Sequence, residues 1–124
     1  MTSVSPLELR IIEELLIKEY GLASPLLRQL ATVRAGVRQM TGTGYYLDLL
    51  VGENVPGLDR MNGDASDGYK TKLASPADLV GFTIFVRDGY LSWFEGYTFG
   101  DAAWPDGPIE KWLRLEAHAG QGVG

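Results

Sequence analysis

LVGFTIFVRDGYLSWFEGYTFG, residues Leu79 to Gly100, sets two apolar, aromatic-rich runs on either side of Asp88-Gly89. Asp-Gly flanked by such runs is a strong short-range signal for a β-hairpin. Two registers satisfy it. A two-residue turn at Asp88-Gly89 puts Val80, Phe82, Ile84, Val86, Leu91, Trp93, Glu95 and Tyr97 on one face. A three-residue turn at Arg87-Asp88-Gly89 with a bulge groups Leu79 and Phe85 with Leu91, Trp93, Glu95 and Tyr97. Either register sets Glu95 among large apolar neighbours.

The same two-residue rhythm extends toward the N-terminus. Val33, Ala35 and Val37 alternate with Arg34, Gly36 and Arg38; Tyr45, Leu47, Leu49 and Val51 alternate with Tyr46, Asp48 and Leu50. A three-residue loop at Thr41–Thr43 pairs Val37 with Leu47, Ala35 with Leu49 and Val33 with Val51. That register gives a clean apolar face and leaves Arg34, Arg38, Tyr46 and Asp48 together on the other. The stretch 52–67 is rich in Gly, Asp and Asn and reads as a long irregular segment. Tyr69 to Leu73 reads as a short edge strand with lysines that discourage pairing, ended by Ser75-Pro76-Ala77-Asp78.

Ser5-Pro6-Leu7-Glu8 predicts a helix start: a serine cap, proline at the first position and a glutamate able to close a capping box. Leu9, Ile12, Leu16 and Tyr20 then form one stripe with Ile11 and Leu15 beside it, and Gly21 suits the end. Glu14 and Lys18 are spaced as an i,i+4 ion pair. Ser24-Pro25 starts a further turn through Leu30. After Pro105-Asp106-Gly107-Pro108, residues 109–117 read either as a strand through Leu113, Leu115 and Ala117 or as a helical turn through Ile109, Trp112 and Leu113. Residues 119–124 read as a mobile tail.

Gly81-Phe82-Thr83-Ile84-Phe85-Val86-Arg87-Asp88-Gly89, then Glu95-Gly96-Tyr97-Thr98-Phe99-Gly100 and Trp104-Pro105, resembles small bacterial α+β proteins. Those share the pattern GF-x-x-F-x-x-DG, EG-aromatic-T-aromatic-G and WP, and have no established function. Arg38 to Tyr46 resembles their first hairpin. The resemblance implies the fold, draws attention to Glu95-Gly96, and carries no activity with it.

A chain of 124 residues suits one domain, 1–124, and can bury roughly two thirds of its unfolded surface. With no cysteine, thiolate metal sites, disulfides and cysteine nucleophiles are excluded. The start lacks the basic, apolar character of a secretory signal and no apolar run nears the ~18 residues of a membrane span, so a cytoplasmic location is expected. A net charge of −5 argues against nucleic acid and anionic membranes as partners.

Candidate chemistry is sparse. Glu95 in an apolar setting could have the raised pKa of a general acid or base. Arg34, Arg38, Tyr46 and Asp48 could bind an anionic group or a partner's carboxylate, and Trp104 joins this ligand- or partner-binding set. Asp59, Asn62, Asp64, Ser66 and Asp67 fail the calcium-loop pattern, because Asp67 stands where the turn glycine belongs. His118 is the single histidine. No catalytic residue, metal site or cofactor is expected.

The expected fold is α+β: an antiparallel sheet of five or six strands with an N-terminal amphipathic helix packed on one face. The expected function is a non-catalytic binding or protein-interaction module, either a homodimer or an inhibitor or immunity-type partner of another bacterial protein. The alternative is a small-ligand binder or simple acid–base enzyme with Glu95, Arg34, Arg38 and Asp48 lining one pocket between helix and sheet.

Overall fold

The computed structural model describes residues 3–71, 79–100 and 102–118. Helix α1 (Pro6–Tyr20) opens on the expected capping box: the Ser5 hydroxyl accepts the Glu8 N–H at 3.1 Å, and the Ser5 N–H donates to the Glu8 carboxylate at 2.9 Å. It ends where the Gly21 N–H reaches Ile17 O, with Gly21 at φ 87°. Helix α2 (Pro25–Leu30) is capped by Ser24, whose hydroxyl accepts the Leu26 N–H at 3.1 Å. Six strands follow: β1 (Arg34–Met40), β2 (Gly44–Leu50), β3 (Gly63–Thr71), β4 (Leu79–Arg87), β5 (Tyr90–Thr98) and β6 (Leu113–His118). They form one antiparallel sheet in the order β1-β2-β5-β4-β3-β6. A single-turn helix α3 (Ile109–Trp112) runs directly into β6, so both readings of residues 109–117 hold, one after the other.

The helices cover one face of the sheet. Ile11, Ile12, Leu15 and Leu16 of α1 and Leu26 of α2 join Leu47, Val80, Phe82, Ile84 and Phe94 in a single core. Each such side chain contributes about 1.5–3 kcal/mol on leaving water, enough to hold the helix layer in place. Lys18 pairs with Asp67 of β3 at 3.0 Å rather than with Glu14, whose ion-pair partner along the helix is Arg10 at 3.8 Å.

Both hairpins depart from their expected registers, and for one reason. Asp88 (φ 52°) and Gly89 (φ 83°) make the two-residue turn, with Arg87 opposite Tyr90 and Val86 opposite Leu91. The pairing then slips, so that Phe85 stands opposite Trp93 and Ser92 is the extra residue of a bulge. Leu91 therefore faces the core with Val86, and the core face continues on Phe94, Gly96 and Thr98. Trp93, Glu95 and Tyr97 are turned to the opposite face, with Phe85, Thr83 and Gly81. Neither expected register describes the whole hairpin.

The β1–β2 pair repeats the device. Ala35 is opposite Leu49, as expected, but Arg38 rather than Val37 is opposite Leu47, so Gly36 and Val37 together oppose Asp48. Val37 is left 67 % exposed and Arg38 turns to the helix side. Arg38 thus parts from Arg34, Tyr46 and Asp48.

β3 starts at Gly63, well inside the segment expected to be irregular, and lies between β4 and β6 rather than at an edge. The alternation of Ala65, Asp67, Tyr69 and Thr71 toward the core was hidden by the polar residues between them. The rest of the expected edge strand, its Ser75–Asp78 stop and the tail 119–124 lie outside the described residues.

Candidate functional site

The candidate residues divide between the two faces of the sheet. On the helix side, the first turn of α1 sets Glu8 over β1 and β2, where it is 2 % exposed. Arg38 donates to both carboxylate oxygens at 2.8 Å, and the Tyr45 hydroxyl donates at 2.6 Å. The Ser5 N–H makes the fourth bond. A third bond of the guanidinium reaches Ser3 O at 2.9 Å, and its carbon lies 5.2 Å from the Tyr45 ring centre.

Burial alone would raise the Glu8 pKa. The Arg38 guanidinium, the Ser5 N–H and the Tyr45 hydroxyl together overcome it and hold the carboxyl below its ordinary value. Burial and the Glu8 charge push the Tyr45 hydroxyl well above the usual tyrosine range. Glu8 is thus a saturated anion, since a carboxylate offers about four acceptor positions and all are used.

Trp104 lies beside this network. Its ring meets Tyr45 at 5.5 Å, Phe82 at 6.0 Å and Trp112 at 5.0 Å, each edge to face, and the Trp104 backbone N–H donates to Gly42 O. The rings need bare backbone beneath them: a Cβ on Gly96 would stand 2.8 Å from both the Trp104 and Tyr45 rings. That is the packing reason for glycine after Glu95. Arg38, Met40, Tyr45, Trp104, Pro108 and Glu110 border a cleft of about 250 Å³. Of the six candidate residues, this cleft brings together Arg38 and Trp104 only.

Arg34, Tyr46, Asp48 and Glu95 are on the other face. Glu95, half-buried, is directly opposite Tyr46 of β2 and Thr83 of β4, with Trp93 and Tyr97 two residues away on its own strand. Desolvation raises its pKa, and the polar influence of the Tyr46 hydroxyl only partly opposes that. Around it, Phe85 stacks on Trp93 at 4.3 Å, Arg87 lies 4.9 Å over the Trp93 ring, and Tyr97 meets Phe99 at 5.8 Å. The Tyr97 ring lies across Gly81, where a Cβ would be 2.3 Å from it. Both helices pack against the opposite face, leaving Tyr46 and Phe99 exposed.

Glu95 and the Arg34/Arg38/Asp48 group therefore do not line one pocket between helix and sheet.

Comparison with family models, with curated proteins and with solved structures finds no match.

Among the described residues, no group of three or more His, Asp or Glu side chains is placed to hold a metal ion, and no helix is long and apolar enough to cross a membrane. Glu8 was foreseen only as a cap. Its second use had a signal: it precedes Ile11 and Ile12 by three and four residues, which sets it on the buried stripe. Gln29, three residues after Leu26, carries the same signal and is fully buried.

Proposed function

We propose that this domain is a non-catalytic interaction module that binds a partner protein through the face of the sheet opposite the helices. The observation that carries this reading is the aromatic band of Phe85, Trp93, Tyr97, Phe99 and Tyr46 on a face that none of the described helices covers. Tryptophan and tyrosine dominate interface hot spots because they bury large area with few rotatable bonds and keep a polar edge. An aromatic strip with exposed members and charged neighbours has the composition of such a patch. The helix side offers less. Its embedded glutamate, Glu8, already has its donors, and the cleft beside Glu8 is small next to the ~300–1,000 Å³ of ordinary ligand sites.

The test combines sedimentation with capture. Sedimentation of the purified chain shows whether the partner is a second copy. Immobilised wild type is then compared with Tyr46→Ser and Phe99→Ser, both at exposed positions, and with Leu22→Ser as the control away from the face. The expected result is a stoichiometric partner, self or other, held by wild type and Leu22→Ser and lost by the two face variants. A monomer without a stoichiometric partner, or one retained equally by all four proteins, overturns the reading.

A further inference from the structure

We propose that Glu95 is the seat for a cationic side chain, an arginine or lysine, carried by the protein that docks on this face. The inference rests on the interaction-face reading and adds the chemistry of the partner.

The argument starts from two adjacent residues of β2. Tyr45 and Tyr46 point to opposite sides of the sheet, and each stands next to one embedded glutamate. On the helix side, Glu8 with Tyr45 receives Arg38, which forks onto the carboxylate and lies over the tyrosine ring. On the open side, Glu95 with Tyr46 offers the same pair of recognition elements, a carboxylate and an aromatic face, with Trp93 and Tyr97 flanking. Among the described residues the ion pairs involve Glu8, Glu14 and Asp67, and none involves Glu95.

Among the described residues, the cations of the open face are engaged or distant. Arg87 is stacked on Trp93, Arg34 is on the edge strand β1 beyond Asp48, and Lys70 and Arg114 pair with each other's strands on the far side of β4. Asp48, opposite Trp93, adds a second negative charge beside Glu95. A guanidinium arriving from outside would gain a charge-assisted bond and ring contact at one point.

Two further facts agree. The chain carries a net charge of −5, so its long-range field draws basic partners. Burial works against the Glu95 carboxylate in the free protein, and the Tyr46 hydroxyl offsets this only in part. A residue that the fold tolerates at a cost, at the centre of an aromatic patch, is explained when a binding partner supplies the missing charge.

The probe is Nα-acetyl-arginine methylamide, with the citrulline analogue as its neutral isostere, titrated into the 15N-labelled full chain. The expected result is saturable shifts at the Trp93 indole and the amides around Glu95, with arginine about tenfold stronger than citrulline. Glu95→Gln should erase that preference while leaving the spectrum folded. Equal responses to the two probes, or an arginine preference that survives Glu95→Gln or maps to the Glu8–Glu110 cleft, overturns the proposal. The two readings fail separately. Capture that needs Tyr46 and Phe99 but ignores Glu95→Gln sinks the cation seat alone. Capture that ignores Tyr46 and Phe99, with the arginine preference intact, sinks the interaction face alone.

Discussion

Glu8 shows how one side chain can be a local cap and a tertiary anchor. One oxygen accepts the Ser5 N–H that starts α1, while the carboxylate as a whole holds Arg38 and Tyr45 from the hairpin below. The serine–proline–glutamate spacing made the cap readable, because a capping box is set by contacts three residues apart. The anchor depends on residues 30 and 37 positions away, and no local pattern reports those. Its sign in the pH dependence follows from the balance at the site. Burial disfavours the charge, but Arg38, Ser5 and Tyr45 more than compensate, so the folded pKa lies below the ordinary 4.5. The stabilisation is therefore complete above pH 4.5 and is lost as pH falls through the lowered folded value. Glu8→Gln leaves a half-buried guanidinium without its anion and should cost about 3 kcal/mol at pH 7, the lower end for a broken embedded pair because Arg38 keeps some water contact. Urea unfolding of the two proteins at pH 7 and at pH 3 checks this. The gap should shrink in acid, and a gap that stays constant would refute the assignment.

The elements were foreseen better than their faces. α1, α2 and both hairpins were visible because caps, turns and alternation are local, whereas residues 109–117 read as either strand or helix. The side each residue takes was not, because a bulge reverses parity and leaves composition untouched. Ser92 in β5 and the Gly36-Val37 step in β1 do this in strands that carry apolar residues on both sides, where the pattern penalises neither choice. Hence Glu95 moved to the open face and Arg38 to the covered one. The early start of β3 has a different cause: Asp64, Ser66 and Gly68 are strand residues on a face that no described helix covers, where polarity costs nothing. Between these elements the long connection from β2 to β3 is ordered by Gln29 of α2. Its amide nitrogen donates to Pro56 O at 3.0 Å and Gly89 O at 2.9 Å, and its oxygen accepts the Leu91 N–H at 2.9 Å. One buried amide thus ties helix, loop and hairpin turn together. Gln29→Leu preserves volume but strands Pro56 O and the Leu91 N–H, each worth about 1 kcal/mol or more when left without a partner, while Gly89 O keeps the Leu58 N–H. We expect a loss of about 2 kcal/mol, with hydrogen exchange accelerating first at Leu58, Gly89 and Leu91. Exchange that accelerates evenly through the sheet would instead mark a general loss of core packing.

The molecule is a single sheet with unlike sides, and its two embedded glutamates respond oppositely to pH. Glu8 faces the helices and is stabilised as an anion. Glu95 faces outward among aromatic rings, where burial exceeds the help it gets from Tyr46, so its folded pKa is raised. For a raised pKa the favourable contribution is present below the ordinary value and disappears as pH climbs through the folded one. The free protein at pH 7 therefore carries Glu95 as a mild liability. Replacing it with glutamine keeps the shape and removes the charge, so Glu95→Gln should melt slightly above wild type at pH 7. The gain is about 0.5 kcal/mol once solvent screening of a half-buried group is allowed for. At pH 3.5, where both proteins are neutral at this position, the two melting curves should coincide. This separates binding from folding. A variant that is at least as stable as wild type, yet loses an arginine-bearing partner, has lost a contact rather than a structure. If Glu95→Gln melts below wild type at neutral pH, the carboxylate is already satisfied within the chain, and the open face has no unmet charge to offer.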